Sequence, residues 1–346
     1  MKMSKEKKEW VNQDHVIEEK IAEFIKQKPS ARNKYLKEMI ATLFKLVDEA
    51  GTNKDLDLVQ TTLKELRKSL KIFAPFRDTL KVCIFGSART KEDSPNYIMT
   101  EDFAKKITKK GFMVITGAGG GIMEAGNKGS EVNMSFGVNI NLPFEQTANK
   151  YIKDDPKLVN FNYFFNRKVT FVKESDAAVI FPGGFGTHDE GFELLTLIQT
   201  GRCHPRPIIF MESPDGTYWE RWQEFIEKEL LANGYISPKD MNMFSVHTDV
   251  EGAVAEIMEF YKNYHSTLHT KQGTSIRLNS ILTDSALEQI NKNFKDICKS
   301  GDYAIVSAAN VSWDSEEYPD KKRLVFKFNN MDFGRLMELI KFINTI

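Results

Sequence analysis

The stretch FPGGFGTHDEGFELL, residues 181–195, joins a glycine-rich turn, a helix start and an acidic side chain. Gly183, Gly184 and Gly186 leave the backbone bare there, so its N–H groups can approach a ligand closely. The helix that follows adds its unsatisfied N–H groups and the positive end of its dipole, a construction suited to an anion and above all to a phosphate. Thr187 is expected in the cap position, and Glu190 hangs over the same pocket one turn into the helix. Phosphate binding alone does not require a carboxylate there, so Glu190 points to chemistry on whatever the phosphate holds in place. The same Thr187-x-x-Glu190 spacing is also a capping box, in which two side chains satisfy backbone N–H groups and do nothing else. Spacing alone does not choose between the two.

A second glycine run, TGAGGGIMEAGNKG at 116–129, again follows a strand pattern and opens a helix. A dinucleotide-binding GxGxxG turn would need a glycine where Ile122 stands, and no GK[ST] follows to make a nucleoside-triphosphate P-loop. What remains is a crowded set of glycines at a helix start, suited to a nucleotide's phosphate or sugar. FGSAR, residues 85–89, makes a third such loop. Upstream of the first motif lies FNYFFNRKVTFVKESD, where Phe161, Phe165, Val169 and Val172 read as one buried face of a helix. Arg167 falls off that stripe. An ordinary reading makes it an exposed arginine, but its helix feeds the strand that carries PGGFGT, which puts it within reach of the pocket.

These residues need a scaffold, and the sequence describes one. From 79 to 264, short β-rich runs (KVCIF, FMVIT, FGVNI, AAVIF and PIIFM) alternate with helical segments. That is the pattern of a parallel sheet covered by helices on both faces, an α/β Rossmann-like fold with ligands beyond the carboxyl ends of its strands. Residues 1–78 carry no strand signal; Ile21, Phe24, Ile25, Leu36, Ile40, Leu43, Phe44 and Val47 fall at helical spacing and predict an N-terminal helical extension. Residues 265–346 read as a small α+β C-terminal domain with a helix over 286–299, two strands (YAIVSAA and RLVFKF) and a last helix over 333–343.

Bulk composition narrows the function. The 346 residues hold 48 Lys plus Arg against 48 Asp plus Glu, so no net field draws the chain to nucleic acid or to an anionic membrane. Cys83, Cys203 and Cys298 form no CxxC pair, the usage of a reducing compartment. No apolar run approaches a membrane span and the charged N-terminus lacks a signal-peptide core, so a cytoplasmic location is expected. His265 and His269 have the i, i+4 spacing of a helical zinc pair, but no third ligand completes a set, and Cys203-His204 is a lone pair; no metal is expected.

FGSART, ITGAGGGIMEAGNKG, the FFNRK helix and PGGFGTHDE, in this order, resemble the LOG ("lonely guy") phosphoribohydrolases, a family often labelled as lysine decarboxylases. The resemblance covers about residues 79–262 and is nearest to the long bacterial members. It implies hydrolysis of the N-glycosidic bond of a nucleoside 5′-monophosphate, AMP or a cytokinin riboside monophosphate among the substrates, without a cofactor. It further implies a homodimer or larger homo-oligomer with the site completed near the subunit interface. Arg167 and Glu190 match the family's catalytic arginine and glutamate. The substrate site so implied takes Gly86, Ser87, Gly117, Gly119, Gly120, Gly121, Met123, Glu124, Lys168, Pro182, Gly183, Gly184, Gly186 and Thr187. Two departures stand out: Ala118 and Gly120 replace a glycine and a proline, and His188 takes a place usually apolar, where it would alter base selectivity or face solvent. The rivals are a non-catalytic nucleotide sensor on the same fold, and a pyridoxal-dependent decarboxylase using Lys168, for which no supporting pattern exists.

Overall fold

The computed structural model describes residues 33–131, 133–142 and 147–346, together with 19, 22, 23 and 26; Ile21, Phe24 and Ile25 lie outside them. The chain divides into two compact units, residues 1–67 and 68–346. In the first, helix α1 (Asn33–Glu49) is followed by α2 (Asn53–Phe73), which runs across the division. Thr52 and Asp55 close the start of α2 reciprocally, each side chain accepting the other's backbone N–H. No residue of α1 is buried, although Leu43, Phe44 and Val47 lie on its apolar stripe.

The second unit is built on seven strands: β1 (Lys81–Phe85), β2 (Met113–Thr116), β3 (Ser135–Ile140), β4 (Leu158–Phe161), β5 (Ala177–Ile180), β6 (Ile208–Met211) and β7 (Ser245–His247). They form one parallel sheet in the order β4-β3-β2-β1-β5-β6-β7. All five runs read as strands are there. The two that went unread are β4 and β7, of four and three residues, which form the edges. Phe161, read as part of a helical stripe, ends β4 instead.

Alternation along each buried strand divides the core between two faces. Cys83, Phe85, Ala178 and Ile180 point into one cluster, while Val82, Ile84, Ala177 and Val179 point into the other. On the first face Phe73, at the end of α2, stacks on Phe136 with ring centroids 4.3 Å apart. Helices α5 (Phe164–Glu174), α6 (Phe185–Gln199) and α7 (Tyr218–Phe225) also lie there. The opposite face is covered by α3 (Pro95–Lys109), α4 (Ile122–Gly129) and α8 (Val250–Phe260).

A second sheet follows, antiparallel, in the order β10-β11-β9-β8, made of β8 (Tyr264–His269), β9 (Thr274–Leu278), β10 (Cys298–Ser307) and β11 (Lys322–Phe328). Helices α9 (Asp284–Asn293) and α10 (Phe333–Thr345) complete it. β8 and β9 pair as a hairpin, so His265 and His269 sit on a strand and not on a helix. Likewise α9 stops at Asn293, and β10 begins where the helix was expected to continue. Histidine, serine and threonine in YHSTLH hid the alternation. The core does not break at residue 264: Tyr264, Ile276, Leu324 and Leu336 belong to the same cluster as Phe210, Trp219 and Met243. Among the described residues no helix is long and apolar enough to cross a membrane.

Candidate active site

Strand order turns at β1, which lies between β2 and β5, and a crevice for ligands opens beyond the carboxyl ends of strands at such a point. Three loops meet there. Ser87, after β1, donates its N–H to the carbonyl of Pro182 after β5 (3.1 Å), and its own carbonyl accepts the N–H of Ile122 after β2 (3.1 Å). This second approach needs a glycine. Gly121 has φ +59°, and a Cβ there would lie 2.3 Å from the Ser87 carbonyl oxygen. Ala118, the neighbouring departure from the family pattern, also has a left-handed φ, 61°. Its methyl is fully buried and does not face the crevice.

The loop after β5 corrects one expectation. Gly184, and not Thr187, is the N-cap of α6, with no side-chain cap. Thr187 is the third helical residue and is buried, its Oγ1 so close to Gly183 that a Cβ on that glycine would meet it at 2.1 Å. Thr187 and Glu190 therefore do not form a capping box. The N–H groups of Gly184, Phe185 and Gly186 open the helix, where no intrahelical acceptor exists, and all three residues line the crevice.

Glu190 and Arg167 come together at this crevice, from α6 and α5. Glu190 is buried, and that burial pushes its carboxyl up to about 7, against the opposing pull of Lys168 and Arg167. Arg167 is held by an Nε donation to the Val138 carbonyl at 3.0 Å, and its guanidinium lies over the Phe171 ring, 5.2 Å from the centroid. Burial works against its charge while Glu190 favours it. Gly117 makes room: a Cβ there would lie 2.3 Å from Arg167 Nη2 and 2.6 Å from Met123 Sδ.

The crevice measures about 680 Å³ and takes in Gly86, Ser87, Met123, Arg167, Gly184, Gly186, Thr187 and Glu190 of the expected residues. Gly117, Gly119, Gly120, Gly121, Glu124, Pro182 and Gly183 stand behind this lining, and the glycines among them that carry contacts shape the loops. Lys168 turns away to a carboxylate cluster, with Nζ 2.8 Å from Glu193, 3.0 Å from Asp189 and 3.7 Å from Glu190. Sequence reasoning missed Arg89, Asp189, Phe164 and Phe185 in the lining. Arg89 and Asp189 adjoin motif residues and could have been read from that. His188 neither lines the crevice nor is left to solvent; its Nε2 lies 2.6 Å from the Tyr218 hydroxyl. Among the described residues no group of three His, Cys, Asp or Glu side chains is placed to hold a metal.

A parallel sheet, three glycine loops at its turning point and a helix N-terminus facing an arginine–glutamate pair define a Rossmann-like α/β protein with a crevice suited to an anion. Within that class the central domain is similar to the LOG family. Residues 115–257 match the family described as "possible lysine decarboxylase". The chain is 34% identical over 91 residues to a cytokinin riboside 5′-monophosphate phosphoribohydrolase of Rhodococcoides fascians, covering 26% of this chain and 44% of that protein. It is 32% identical over 105 residues to one of Arabidopsis thaliana, covering 30% and 46%. These alignments span less than half the length of those relatives. A second Arabidopsis protein of the same name aligns over 185 residues at 25% identity, covering 53% and 78%. Among solved structures, a molybdenum cofactor carrier protein of Chlamydomonas reinhardtii superposes with TM-score 0.37 at 19% identity, over 52% of this chain and 96% of that one.

Proposed function

We propose that this chain hydrolyses the N-glycosidic bond of a nucleoside 5′-monophosphate to free base and ribose 5-phosphate. The observation that carries the reading is the buried Glu190 carboxyl beside Arg167, one turn above a helix N-terminus that opens on the same crevice. The N–H groups of Gly184, Phe185 and Gly186 take the 5′-phosphate, and the ribose then lies against Glu190. As the bond to the base breaks, positive charge grows on the ribose ring, and a carboxylate next to it is the cheapest stabiliser. Water oxygen forms the new bond to C1′, the bonding electrons leave with the base nitrogen, the proton given up by the water passes to Glu190, and the departing base nitrogen takes a proton from solvent to which Glu190 then returns its own. A carboxyl near 7 is suited to that exchange at neutral pH. Arg167 holds Glu190 and the phosphate in register, its own position fixed by Val138.

The relatives' names give cytokinin riboside 5′-monophosphates as their substrates, and AMP is the simple purine nucleotide proposed beside them for this chain. Lys168 does not suit Schiff-base chemistry. Burial alone would lower its pKa, but Glu193, Glu190 and Asp189 outweigh that and raise it, the opposite of what an amine nucleophile needs. We further assign residues 1–78, 79–264 and 265–346 as the helical extension, the catalytic domain and a C-terminal module. The chain acts as a homodimer joined through the exposed apolar face of α5. The test is to incubate the protein with nucleoside 5′-monophosphates, nucleosides and triphosphates and to follow free base by chromatography. Release from monophosphates alone, rising with pH through about 7 and lost by about 100-fold or more in Glu190→Gln, is expected. Full activity in that variant would remove Glu190 from the chemistry.

A further inference from the structure

Behind the phosphate loop a short chain of hydrogen bonds runs away from the crevice. The Tyr218 hydroxyl donates to the carbonyl of Gly183 at 2.5 Å, and His188 Nε2 lies 2.6 Å from the same hydroxyl. A tyrosine has one hydroxyl proton, and here the carbonyl takes it. His188 must therefore carry hydrogen on Nε2 and donate to the tyrosine oxygen, so the chain has one direction, His188 to Tyr218 to Gly183. Both ends are anchored. The His188 ring packs against Tyr218, Trp219 and Phe192 at centroid distances of 5.8–6.1 Å. Tyr218 opens α7, whose first turn is held by the buried carboxylate of Glu212, accepting the N–H groups of Tyr218 (2.9 Å) and Trp219 (2.8 Å).

The Gly183 carbonyl belongs to the same peptide unit as the Gly184 N–H, and in a trans peptide the two point in opposite directions. Fixing the carbonyl on the Tyr218 side aims the Gly184 N–H the other way, into the crevice that Gly184 lines. Among the described residues no second hydrogen bond reaches that peptide, although its neighbours are fixed by Ser87 on the Pro182 carbonyl and by Thr187 and His188 on the Gly184 carbonyl; Gly183 and Gly184 have no side chains, and Gly184 is the helix cap without a side-chain cap bond. A glycine loop that is bare enough to admit a phosphate is also free to rotate.

We propose that His188 and Tyr218 are positioning residues that orient the Gly183–Gly184 peptide as a donor to the substrate phosphate. The proposal rests on the nucleotide reading given above. It assigns a role to the one histidine in the motif and to a tyrosine outside it.

The test compares Tyr218→Phe, His188→Leu and His188→Gln, the last keeping an N–H donor, by calorimetry with ribose 5-phosphate and with ribose, and by kinetics with AMP. Tyr218→Phe and His188→Leu should weaken ribose 5-phosphate about tenfold and raise KM for AMP by a similar factor. Ribose binding should be unmoved, kcat should change less than about threefold, and His188→Gln should stay near wild type. A general packing defect would weaken ribose too, or lower kcat with KM unchanged, and either result overturns the proposal. So does a His188→Gln as impaired as His188→Leu with melting temperature intact. If the wild type releases no base but binds ribose 5-phosphate over ribose, and the variants lose that preference, the hydrolase reading fails while the positioning role stands. If the wild type shows no preference for the phosphate, the positioning role is wrong.

Discussion

At the scale of single residues, Glu190 carries two measurable consequences. Its carboxyl titrates near 7 in the folded chain and about 4.3 when unfolded, so between those values the native state holds the extra proton. Its contribution is thus fully present below about pH 4 and is lost as pH rises through 7. Glu190→Gln removes the cost of burying the charge. It should raise Tm by several degrees at pH 8, about 1–3 kcal/mol, and by almost nothing at pH 4. Thermal melts of both proteins at the two pH values check this; equal shifts would mean the carboxyl is not raised. Gly117 gives the complementary test. Its φ suits any residue, yet an alanine methyl would sit 2.3 Å from Arg167 Nη2. Gly117→Ala should leave the fold intact and lower kcat about 10- to 100-fold by moving Arg167, measured with AMP beside a melting curve. Both catalytic candidates were legible in the sequence because the family motif names them. Thr187 was misplaced as the cap because a helix start cannot be located to the residue from spacing, and Gly184 opened the helix three residues earlier than Thr187 would have.

At the scale of elements, α5 shows best what periodicity gives and withholds. Its apolar stripe was expected inside, but Phe164, Phe165 and Val169 are half exposed, and Asn166, Thr170, Phe171 and Glu174 face inward. Hydrophobic spacing reports that a face is destined for burial and not which partner buries it. The proposed dimer supplies that partner. Val169→Lys should convert a dimer to a monomer in sedimentation experiments without unfolding it, and an unchanged mass would place the interface elsewhere. The five central strands were plain because every residue in them is buried and most are apolar, the signature of a parallel sheet. Edge strands of three or four residues and the histidine-bearing β8 lacked that signal.

For the molecule as a whole, the C-terminal module shares its core with the domain built on the parallel sheet. Phe333, at the head of α10, presses on Gly201 just past the end of α6; a Cβ at that glycine would meet the ring at 2.1 Å. Inside the module Asp314, with no exposed side-chain surface, accepts from Arg323 Nε at 2.9 Å, Arg277 Nε at 3.1 Å and Ser275 Oγ at 2.7 Å. Asp314→Ala leaves two buried arginines facing each other and should cost about 3–5 kcal/mol. Because the core is continuous, calorimetry should show the whole second unit melting lower in one transition. A separate, early transition would mean the module unfolds alone.

β1 sits in the middle of the large sheet, between β2, which follows it closely, and β5, which does not. The bond from the Lys81 N–H to the Asp176 carboxylate joins residues 95 positions apart. On the ribosome, β1 through β4 must therefore wait, edge uncovered, until α5 and β5 have been synthesised, several seconds at ordinary elongation rates. The glycine loop that completes the crevice lies just beyond β5, so a ligand of that crevice can act on this chain only late in its biogenesis. It rewards the completed sheet and does nothing for the partial one.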